Sequence, residues 1–400
     1  MVPSDLRKRI RDITPHVVEL RHHLHEHPEL SNNEERTAAC VAKHLAGMGL
    51  RPTTGVGGHG VVADIHTASA SAPLIALRAD MDALPIQEEN DLPYRSVNPG
   101  VMHACGHDGH TAMLVGAAAI LTDLHRELPV GVRLIFQPAE EDVGGARRMC
   151  DAGVMSGVTA IAALHGWVEL PLGSIGIGTG AVMAAADMLD VTVRGRGAHA
   201  ASPHLSVDPI VTAARIVEAL QTAVSRESDP LDNVVITVAQ FHAGTAYNII
   251  PDCARLAGTV RTLRPSTRER MEPTVRRIAE GICASAGAQC DVAYQYGAPA
   301  VINGPKAAAL IREAAIEAVG AENVVEPVTP SMGAEDFAYY LRHAPGAMFR
   351  LGLGDGPPGH TSRFDFDDRA LPVGVEMFCR ICFAFRGPLD NSTTDLSAAP

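Results

Sequence analysis

Hydrophobic residues recur along this chain at two different spacings, and the spacing changes from one region to the next. Residues 5–27 carry apolar side chains at steps of three and four, which predicts an amphipathic helix. A second helix is predicted to begin near Asn33 and to end at Gly49. Nearly continuous apolar runs then predict three buried strands, at Leu74–Leu77, Val132–Phe136 and Ile161–Leu164.

Helical patterns separate these strands and continue after them. They cover residues 108–124 and 145–152, and later Lys306–Val319 and Glu335–Arg342, before a last strand at Ala347–Leu353. Alternation of buried strands with helices is typical of a parallel sheet that helices cover on both faces. The pattern therefore predicts an α/β domain with a mixed, mostly parallel sheet.

The middle of the chain follows another pattern. After Gly180, apolar and polar residues alternate, which predicts half-exposed strands. These strands are expected at Met188–Val193, Val234–Val238 and Leu256–Val260, with helices at Asp208–Val224 and Arg268–Ala286. We interpret this region as an inserted antiparallel α+β module. The inserted domain is expected at residues 184–296, and the larger domain at 1–183 and 297–400.

Composition and charge narrow the class of protein. The chain has 400 residues, of which 46% are hydrophobic, so two domains with a sizeable core are expected. A net charge of −13 argues against a nucleic-acid partner. No apolar stretch is long enough to cross a membrane and the N-terminus lacks the apolar part of a signal peptide, so a cytoplasmic protein is expected. The polar end, Asn391–Pro400, is expected to be disordered.

Two groups of potential metal ligands are interpreted as structural. The histidines of the first helix fall mostly off any single face, which favours solvated or capping roles; they are His16, His22, His23, His25 and His27. Cys379 and Cys382 form a C-x-x-C pair inside an apolar, helix-like run. Three residues apart, they share a helix face and are expected in the core.

The segment Met102–His110 (MHACGHDGH) has the strongest chemical signal. It holds three histidines, a cysteine and an aspartate, the side chains that bind zinc, manganese, nickel or cobalt. Cys105 and His107 are close enough to contact the same pair of metals from an extended loop. Alternatively, the segment is a chance group of polar residues at a helix start, so further ligands have to come from elsewhere.

Further ionisable residues follow the predicted strands of the larger domain. Apolar runs lead directly into them, and the full set is Asp80, Asp82, Glu140, Glu141, His165 and His360. Because ligands of open α/β sheets bind at the carboxyl ends of the strands, we expect these side chains to meet at one edge. Together with Cys105 and His107 they exceed the needs of one ion, which favours two divalent ions about 3.5–4 Å apart.

The adjacent carboxylates of Glu140 and Glu141 are expected to have different roles. Successive side chains on a strand diverge, so Glu140 and Glu141 cannot both point at the same ion. One can bind a metal while the other accepts a proton from an activated water and passes it to a leaving amine. The alternative is a helix N-terminus that carries favourable negative charge.

Seven segments, in this order, resemble the M20 metallopeptidase family. They are Leu20–Ser31, Ala76–Ile86, Met102–Leu114, Leu134–Glu141, His199–His204, Tyr247–Asp252 and Gly333–Phe337. The resemblance covers nearly the whole chain and is strongest to the amidohydrolase branch of aminoacylases, hippurate hydrolases and auxin-conjugate hydrolases. It implies a zinc-peptidase-like catalytic domain with an inserted lid and dimerisation domain.

The resemblance also implies roles for individual residues. Glu140 becomes the general acid and base, and Asp82 the aspartate that orients a ligand. Asp80 stands where related peptidases have a histidine ligand, as it does in the amidohydrolase branch. The cofactors are expected to be two divalent ions, either zinc, manganese, nickel or cobalt. The implied metal ligands are Cys105, His107, Glu141, His165 and His360.

In the inserted module, the resemblance makes His199 the residue that stabilises the oxyanion, in some relatives from the partner subunit. Alternatively, His199 is a loop histidine with a local hydrogen bond and no catalytic role. Asn248 and Arg261 match residues that hold the substrate carboxylate, a role that suits arginine through bidentate pairing.

The expected function is metal-dependent hydrolysis of the amide bond of an N-acyl amino acid or a related amide, by a homodimer or a dimer-based oligomer. A carboxypeptidase or dipeptidase with the same dinuclear centre is the enzymatic alternative. A catalytically silent, metal-stabilised binding protein should lack the base or a ligand, and this chain keeps both. A phosphoesterase should have a phosphate-binding glycine loop, which is missing.

Overall fold

The computed structural model describes residues 2–69 and 71–389. Its α-helices begin and end close to the predicted positions. They are α1 (Leu6–Glu26), α2 (Glu35–Gly47), α3 (His107–Asp123), α4 (Gly145–Asp151), α5 (Pro209–Ser225), α6 (Pro265–Ala286), α7 (Pro305–Val319) and α8 (Leu371–Ala384). The segment Asp336–Arg342, expected as a short helix, is a 3₁₀ helix.

The strands of the described chain belong to two units. In order they are β1 (Thr53–Val56), β2 (Gly60–Ile65), β3 (Leu74–Asp80), β4 (Gly131–Gln137), β5 (Val158–Trp167), β6 (Ile175–Gly176), β7 (Gly180–Met183), β8 (Ala185–Arg194), β9 (Ala198–His199), β10 (Val234–Ala243), β11 (Ile249–Ile250), β12 (Cys253–Thr262), β13 (Gln289–Tyr296), β14 (Val301–Asn303), β15 (Val324–Val325) and β16 (Gly346–Gly352). Every strand predicted from the sequence is present among them.

The larger unit is built on an eight-stranded sheet with the order β1-β2-β4-β3-β5-β16-β6-β15. Its four central strands, β4, β3, β5 and β16, are parallel, whereas β2 and β6 run antiparallel to their neighbours β4 and β16. The carboxyl ends of the central strands therefore meet at one edge. This arrangement confirms the predicted mixed, mostly parallel sheet.

Both faces of this sheet are buried, as the continuous apolar runs predict. Alternate residues of β3, among them Ile75 and Leu77, join the core that also includes α1, α3 and α8. The residues between them are buried as well, because α4 and the 3₁₀ helix cover the opposite face. Cys379 and Cys382 are fully buried in α8, as expected for core residues.

The smaller unit comprises Ala181–Val301 and Pro330–Glu335, and the larger one the rest of the described chain. Its four-stranded antiparallel sheet has the order β10-β12-β8-β13. One face packs on α5 and α6, and its core contains Leu189, Val191 and Val193. The domain limits inferred from the sequence, at residues 184 and 296, stay a prediction.

Two further sequence predictions concern the C-terminal tail and membrane-spanning helices. The tail Asn391–Pro400 lies outside the described residues. None of the helices in the described part of the chain has the length and apolar character that a membrane crossing requires.

Candidate dinuclear metal centre

Six predicted site residues meet at the carboxyl edge of the parallel sheet in the larger unit. Two groups of three have all their ligand atoms within 4.8 Å of one another, Cys105 with His107 and His165, and Cys105 with Glu141 and His360. A further group combines His107 and Glu141 with Glu140. The first two groups share the cysteine sulfur, so the donors are arranged for two neighbouring ions rather than one.

Hydrogen bonds fix which nitrogen of each histidine faces the centre. The Nδ1 atom of His107 lies 2.9 Å from the main-chain oxygen of Asp82, and that of His165 lies 2.7 Å from the oxygen of Gly166. A carbonyl only accepts, so both Nδ1 atoms carry the hydrogen. The Nε2 atom of each ring therefore faces the other donors, which is the arrangement of metal-binding imidazoles with an anchored second nitrogen.

Two buried atoms of the centre lack hydrogen-bond partners among the described residues, namely His107 Nε2 and Glu141 Oε1. Cys105 Sγ lies 3.5 Å from His165 Nε2, and Glu141 Oε1 lies 3.4 Å from His360 Nε2. Buried polar atoms without partners are costly in a folded protein. Their presence among sulfur, nitrogen and oxygen donors fits a site that is completed by divalent cations.

Burial shifts the pKa values of two of these donors. Burial, with a smaller effect of the neighbouring His110, lowers the pKa of His165 to about 3, so this imidazole is neutral at pH 7. Burial raises the pKa of the Cys105 thiol well above its usual range. A thiol in such surroundings becomes a thiolate when a metal coordinates it.

Asp82 contacts two of the predicted ligands. Its Oδ1 lies 3.3 Å from His107 Nδ1, and its Oδ2 accepts hydrogen bonds from the main-chain nitrogen of Glu141 at 3.0 Å and from the hydroxyl of Ser31 at 2.6 Å. Burial raises the pKa of Asp82, but the hydrogen bond with His107 and that histidine's charge outweigh it and lower the pKa. These contacts support the predicted orienting role.

His360 reaches the centre from an exposed loop after β16. Its φ of 62° lies in the left-handed region, and its main-chain nitrogen donates to the oxygen of Ala104 at 2.7 Å. This bond ties His360 to the residue before Cys105, which explains how a residue so distant in sequence joins the same group.

His110 and Asp80 form hydrogen bonds with each other and with residues around the centre. The role of His110 was not predicted from the sequence. Asp80 Oδ1 lies 2.7 Å from His110 Nδ1, while its Oδ2 accepts from Arg78 at 2.6 Å. His110 Nε2 in turn accepts a hydrogen bond from the main-chain nitrogen of Gly166 at 2.9 Å. Both nitrogens of His110 are thus occupied. The spacing of His107 and His110 on one helix face was the available signal.

A network of buried charges lies behind the start of α3 and corrects the prediction for the α1 histidines. His25 is fully buried, with Nδ1 2.8 Å from Asp108 Oδ2 and Nε2 3.2 Å from Glu88 Oε1. Asp108 also accepts from Arg21 at 2.8 Å. The expected solvated or capping role is wrong for His25, because tertiary partners from α3 and from a loop surround it. His22 is partly exposed, and its Nε2 lies 2.7 Å from a carboxylate oxygen of Asp368.

Burial lowers the pKa of His25, but the hydrogen bonds with Asp108 and Glu88 outweigh it and raise the pKa to about 9. The imidazole is therefore a cation at neutral pH. The same network holds Asp108, which directly follows His107, as a carboxylate with a lowered pKa despite burial, because Arg21 and His25 stabilise its charge.

The three predicted residues of the inserted module lie in the smaller unit. His199 and Asn248 are neighbours on a two-stranded ribbon, where β9 pairs with β11 and the main-chain nitrogen of Ala200 donates to the oxygen of Asn248 at 3.0 Å. Arg261 lies on β12 and is half-buried; burial lowers its pKa. The main-chain nitrogen of Ala201 donates to His199 Nδ1 at 3.1 Å, so the exposed Nε2 carries a hydrogen.

A solved structure shares this architecture, and curated proteins are similar to the chain in sequence. The Bacillus subtilis YXEP protein, described as a dinuclear metal binding peptidase from the M20 family, is 35% identical with a TM-score of 0.83, covering 93% of this chain and 98% of its own. An N-acetyl-L-cysteine deacetylase of Bacillus subtilis is 41% identical over 357 residues, 89% of this chain and 84% of its own length. The thermostable carboxypeptidase 1 of Saccharolobus solfataricus is 37% identical over 378 residues, 92% of this chain and 95% of its own length.

The profile of Peptidase family M20/M25/M40 matches residues 76–384, which include every residue of the candidate centre. This match spans most of the chain, and the relatives align with it over nearly their whole length. The chain belongs to the M20 peptidase family.

Proposed function

We propose that this M20-family amidohydrolase cleaves the amide bond of N-acyl amino acids and releases a carboxylic acid and an amino acid. The observation that carries the proposal is the pair of donor groups that share Cys105, with Glu140 directly beside them. Relatives that share most of the chain include the N-acetyl-L-cysteine deacetylase, whose name states the cleavage of such a bond.

The ligands proposed for two divalent ions are the five residues of the two groups. Zinc, manganese, nickel or cobalt suit a donor set that mixes thiolate, imidazole and carboxylate. Such ions polarise a substrate carbonyl and lower the pKa of bound water. Asp82 holds His107 and the backbone of Glu141 in place for this purpose.

Glu140 is proposed as the general base and acid. Glu140 is 7% exposed and belongs to the group with His107 and Glu141, so its carboxylate lies close to the proposed ligands. It takes a proton from the attacking water and delivers it to the departing nitrogen. His199, through its Nε2–H, is proposed to donate a hydrogen bond to the oxyanion. Asn248 and Arg261 are proposed to bind the substrate carboxylate.

The decisive experiment is the substitution Glu140→Gln, with bound metal measured in the same sample. We expect kcat to fall about 10²–10⁴-fold while the metal content stays at that of the parent protein. Normal turnover by a metal-replete Glu140→Gln protein would exclude Glu140 as the base.

Carboxypeptidase activity is the second candidate, favoured by the similarity to thermostable carboxypeptidase 1. A panel of N-acyl amino acids and dipeptides, assayed with the same metal-loaded protein, separates the two. Higher kcat/KM for the N-acyl series supports the first proposal, and higher kcat/KM for free peptides supports the second.

A homodimer formed through the smaller unit is also proposed. The outer edge of β10 has no paired strand in the part of the chain that the structure describes, and exposed apolar side chains such as Val235 and Phe241 lie along it. Unpaired sheet edges are natural sites for association. Light scattering of the purified protein tests this, and a monomer at micromolar concentration would contradict it.

A further inference from the structure

The turn that carries Glu140 and Glu141 has an unusual backbone. Ala139, directly before this pair, and Val143, two residues after it, have φ values of 49° and 55°. This left-handed region disfavours any residue with a β-carbon, and such a conformation persists only where its surroundings fix it. Ala139 is fully buried and directly precedes Glu140, so whatever fixes Ala139 also sets the direction in which Glu140 leaves the main chain.

The side chain of Glu34 is one of the groups that fix Ala139. Glu34 is fully buried, and its Oε1 accepts hydrogen bonds from the main-chain nitrogens of Ala139, at 2.8 Å, and Asn32, at 2.9 Å. Its Oε2 has no hydrogen-bond partner within the described ranges. A buried carboxylate is costly, so one retained for two backbone contacts indicates a specific task.

That task is not the capping of its own helix. Glu34 precedes α2, yet its side chain accepts no hydrogen bond from the helix start. Glu29 does this instead, because its Oε2 accepts from the main-chain nitrogen of Thr37 at 2.8 Å and its Oε1 from that of Arg36 at 3.2 Å. The carboxylate of Glu34 is thus free of the helix and is turned towards the Glu140 turn.

Two neighbours of Glu34 hold the same turn from other sides. The hydroxyl of Ser31 donates to Asp82 Oδ2 at 2.6 Å, the oxygen that also accepts from the main-chain nitrogen of Glu141. Asn32 Nδ2 donates to Asp142 Oδ2 at 2.7 Å. One short segment after α1 therefore contacts the turn before and after Glu140.

We propose that Glu34 is a positioning residue that acts on Glu140 through the backbone of Ala139. The proposal rests on the proposed function of Glu140 as the base and deepens it. One acceptor oxygen does the positioning, so a neutral side chain with the same shape and one oxygen can replace the carboxylate.

Two nearly isosteric variants test this. Glu34→Gln keeps an acceptor oxygen for Ala139, whereas Glu34→Met keeps the volume and removes the acceptor. We expect Glu34→Met to lower kcat by up to about 100-fold, since small displacements of a reacting group have effects of this size. KM and metal content should stay at the parent values, and Glu34→Gln should restore most of kcat.

Glu29→Met is the matched control. It removes a carboxylate that also accepts two main-chain hydrogen bonds beside α2 but does not contact the turn. Both methionine variants should lower the melting temperature to a similar extent, and only Glu34→Met should lower kcat. An equal loss of kcat in Glu29→Met would reduce the role of Glu34 to general stability and overturn the proposal.

Hydrogen exchange supplies a readout that does not depend on turnover. The amide of Ala139 should exchange faster in Glu34→Met than in the parent protein and in Glu34→Gln. Unchanged exchange, or a Glu34→Gln protein as inactive as Glu34→Met, would overturn the positioning role. If Glu140→Gln were fully active, the proposed function would fail while the exchange result still decided whether Glu34 holds the turn.

Discussion

The carboxyl edge of the larger sheet and the sheet of the smaller unit differ in the number of buried ionisable side chains that they contain. At the edge, Asp80, Asp82, His107 and His110 are all at most 1% exposed and lie within one cluster. In the described strands β8, β10, β12 and β13 of the smaller unit, the buried ionisable side chain is Asp187. Because an isolated buried charge is costly, the difference marks the region where the fold accepts that cost for chemistry.

Asp187 shows how hydrogen bonds neutralise the buried charge in the described strands of the smaller sheet. Its carboxylate accepts from Arg268 at 2.6 Å, from the hydroxyl of Tyr294 at 3.0 Å and from the main-chain nitrogen of Gly297 at 3.1 Å. Nothing is left over for a ligand. At the sheet edge, by contrast, hydrogen bonds satisfy one side of His107 and leave its Nε2 without a hydrogen-bond partner among the residues described.

The largest expected effect comes from metal removal, which acts on the edge alone. Dialysis against a chelator should abolish amide hydrolysis, and zinc, manganese, cobalt or nickel should restore it. The sheet of the smaller unit has no corresponding group of donors among its described residues, so metal removal should leave it unchanged. Far-ultraviolet circular dichroism should therefore stay close to that of the loaded protein. Full activity of a protein that is shown to be metal-free would contradict the proposed metal dependence of this edge.

Breaking one buried ion pair in each unit gives the next largest effect. Arg21→Met leaves Asp108 buried without its main partner and should lower the free energy of unfolding by about 3–5 kcal/mol. Arg268→Met should cost less, since Tyr294 and Gly297 still donate to Asp187. Only the Arg21 variant should also weaken metal binding, because Asp108 adjoins His107.

Urea denaturation can separate these two effects. The sequence has one tryptophan, Trp167, which lies on β5 of the larger unit. Its fluorescence should report the Arg21 variant, whereas circular dichroism reports both. A larger loss of stability in Arg268→Met than in Arg21→Met would contradict the predicted order.

The pH dependence of stability is a somewhat smaller effect and also belongs to the larger unit. The pKa of His25 rises from its ordinary value of 6.5 to about 9 in the folded protein. A raised folded-state pKa means that the stabilisation is fully present below pH 6.5 and is lost as pH rises through about 9. The shift corresponds to a contribution on the order of 3 kcal/mol. Denaturation midpoints between these pH values should fall in the parent protein and change less in His25→Gln.

The smallest effect is expected on the exposed face of the smaller sheet. Arg255 and Asp190 form an ion pair across β12 and β8, with side chains 58% and 41% exposed. Arg255→Ala should change the free energy of unfolding by less than about 1 kcal/mol, because water and salt screen such pairs. A larger loss would show that charge pairs matter as much in this unit as in the other.

The same contrast explains what the sequence could reveal. In the smaller unit, alternation along β8 puts Leu189 and Val191 in the core and leaves Met188 47% exposed, as a half-buried strand requires. Periodicity alone was sufficient to predict which side chains of this strand are buried. In the larger unit, the strands and the residues that follow them were equally predictable, because ionisable side chains interrupt otherwise apolar runs.

The supporting contacts were not predictable, because they depend on residues far apart in sequence. Neither the helical pattern around His25 nor the polar run around Glu34 indicates burial against Asp108 or Ala139. The tautomer of His107 is likewise set by the main-chain oxygen of Asp82, which no spacing rule reveals. Local pattern thus predicted the elements and the donors, and tertiary packing determined their orientation.

The sharing of Cys105 by both donor groups has a consequence for the durability of the enzyme. Peroxide oxidises an accessible thiolate to a sulfenic acid. Since this sulfur belongs to both groups, oxidation of this one atom would remove a donor from each of them. Oxidative inactivation would then proceed molecule by molecule in one step, and a thiol reductant would reverse it.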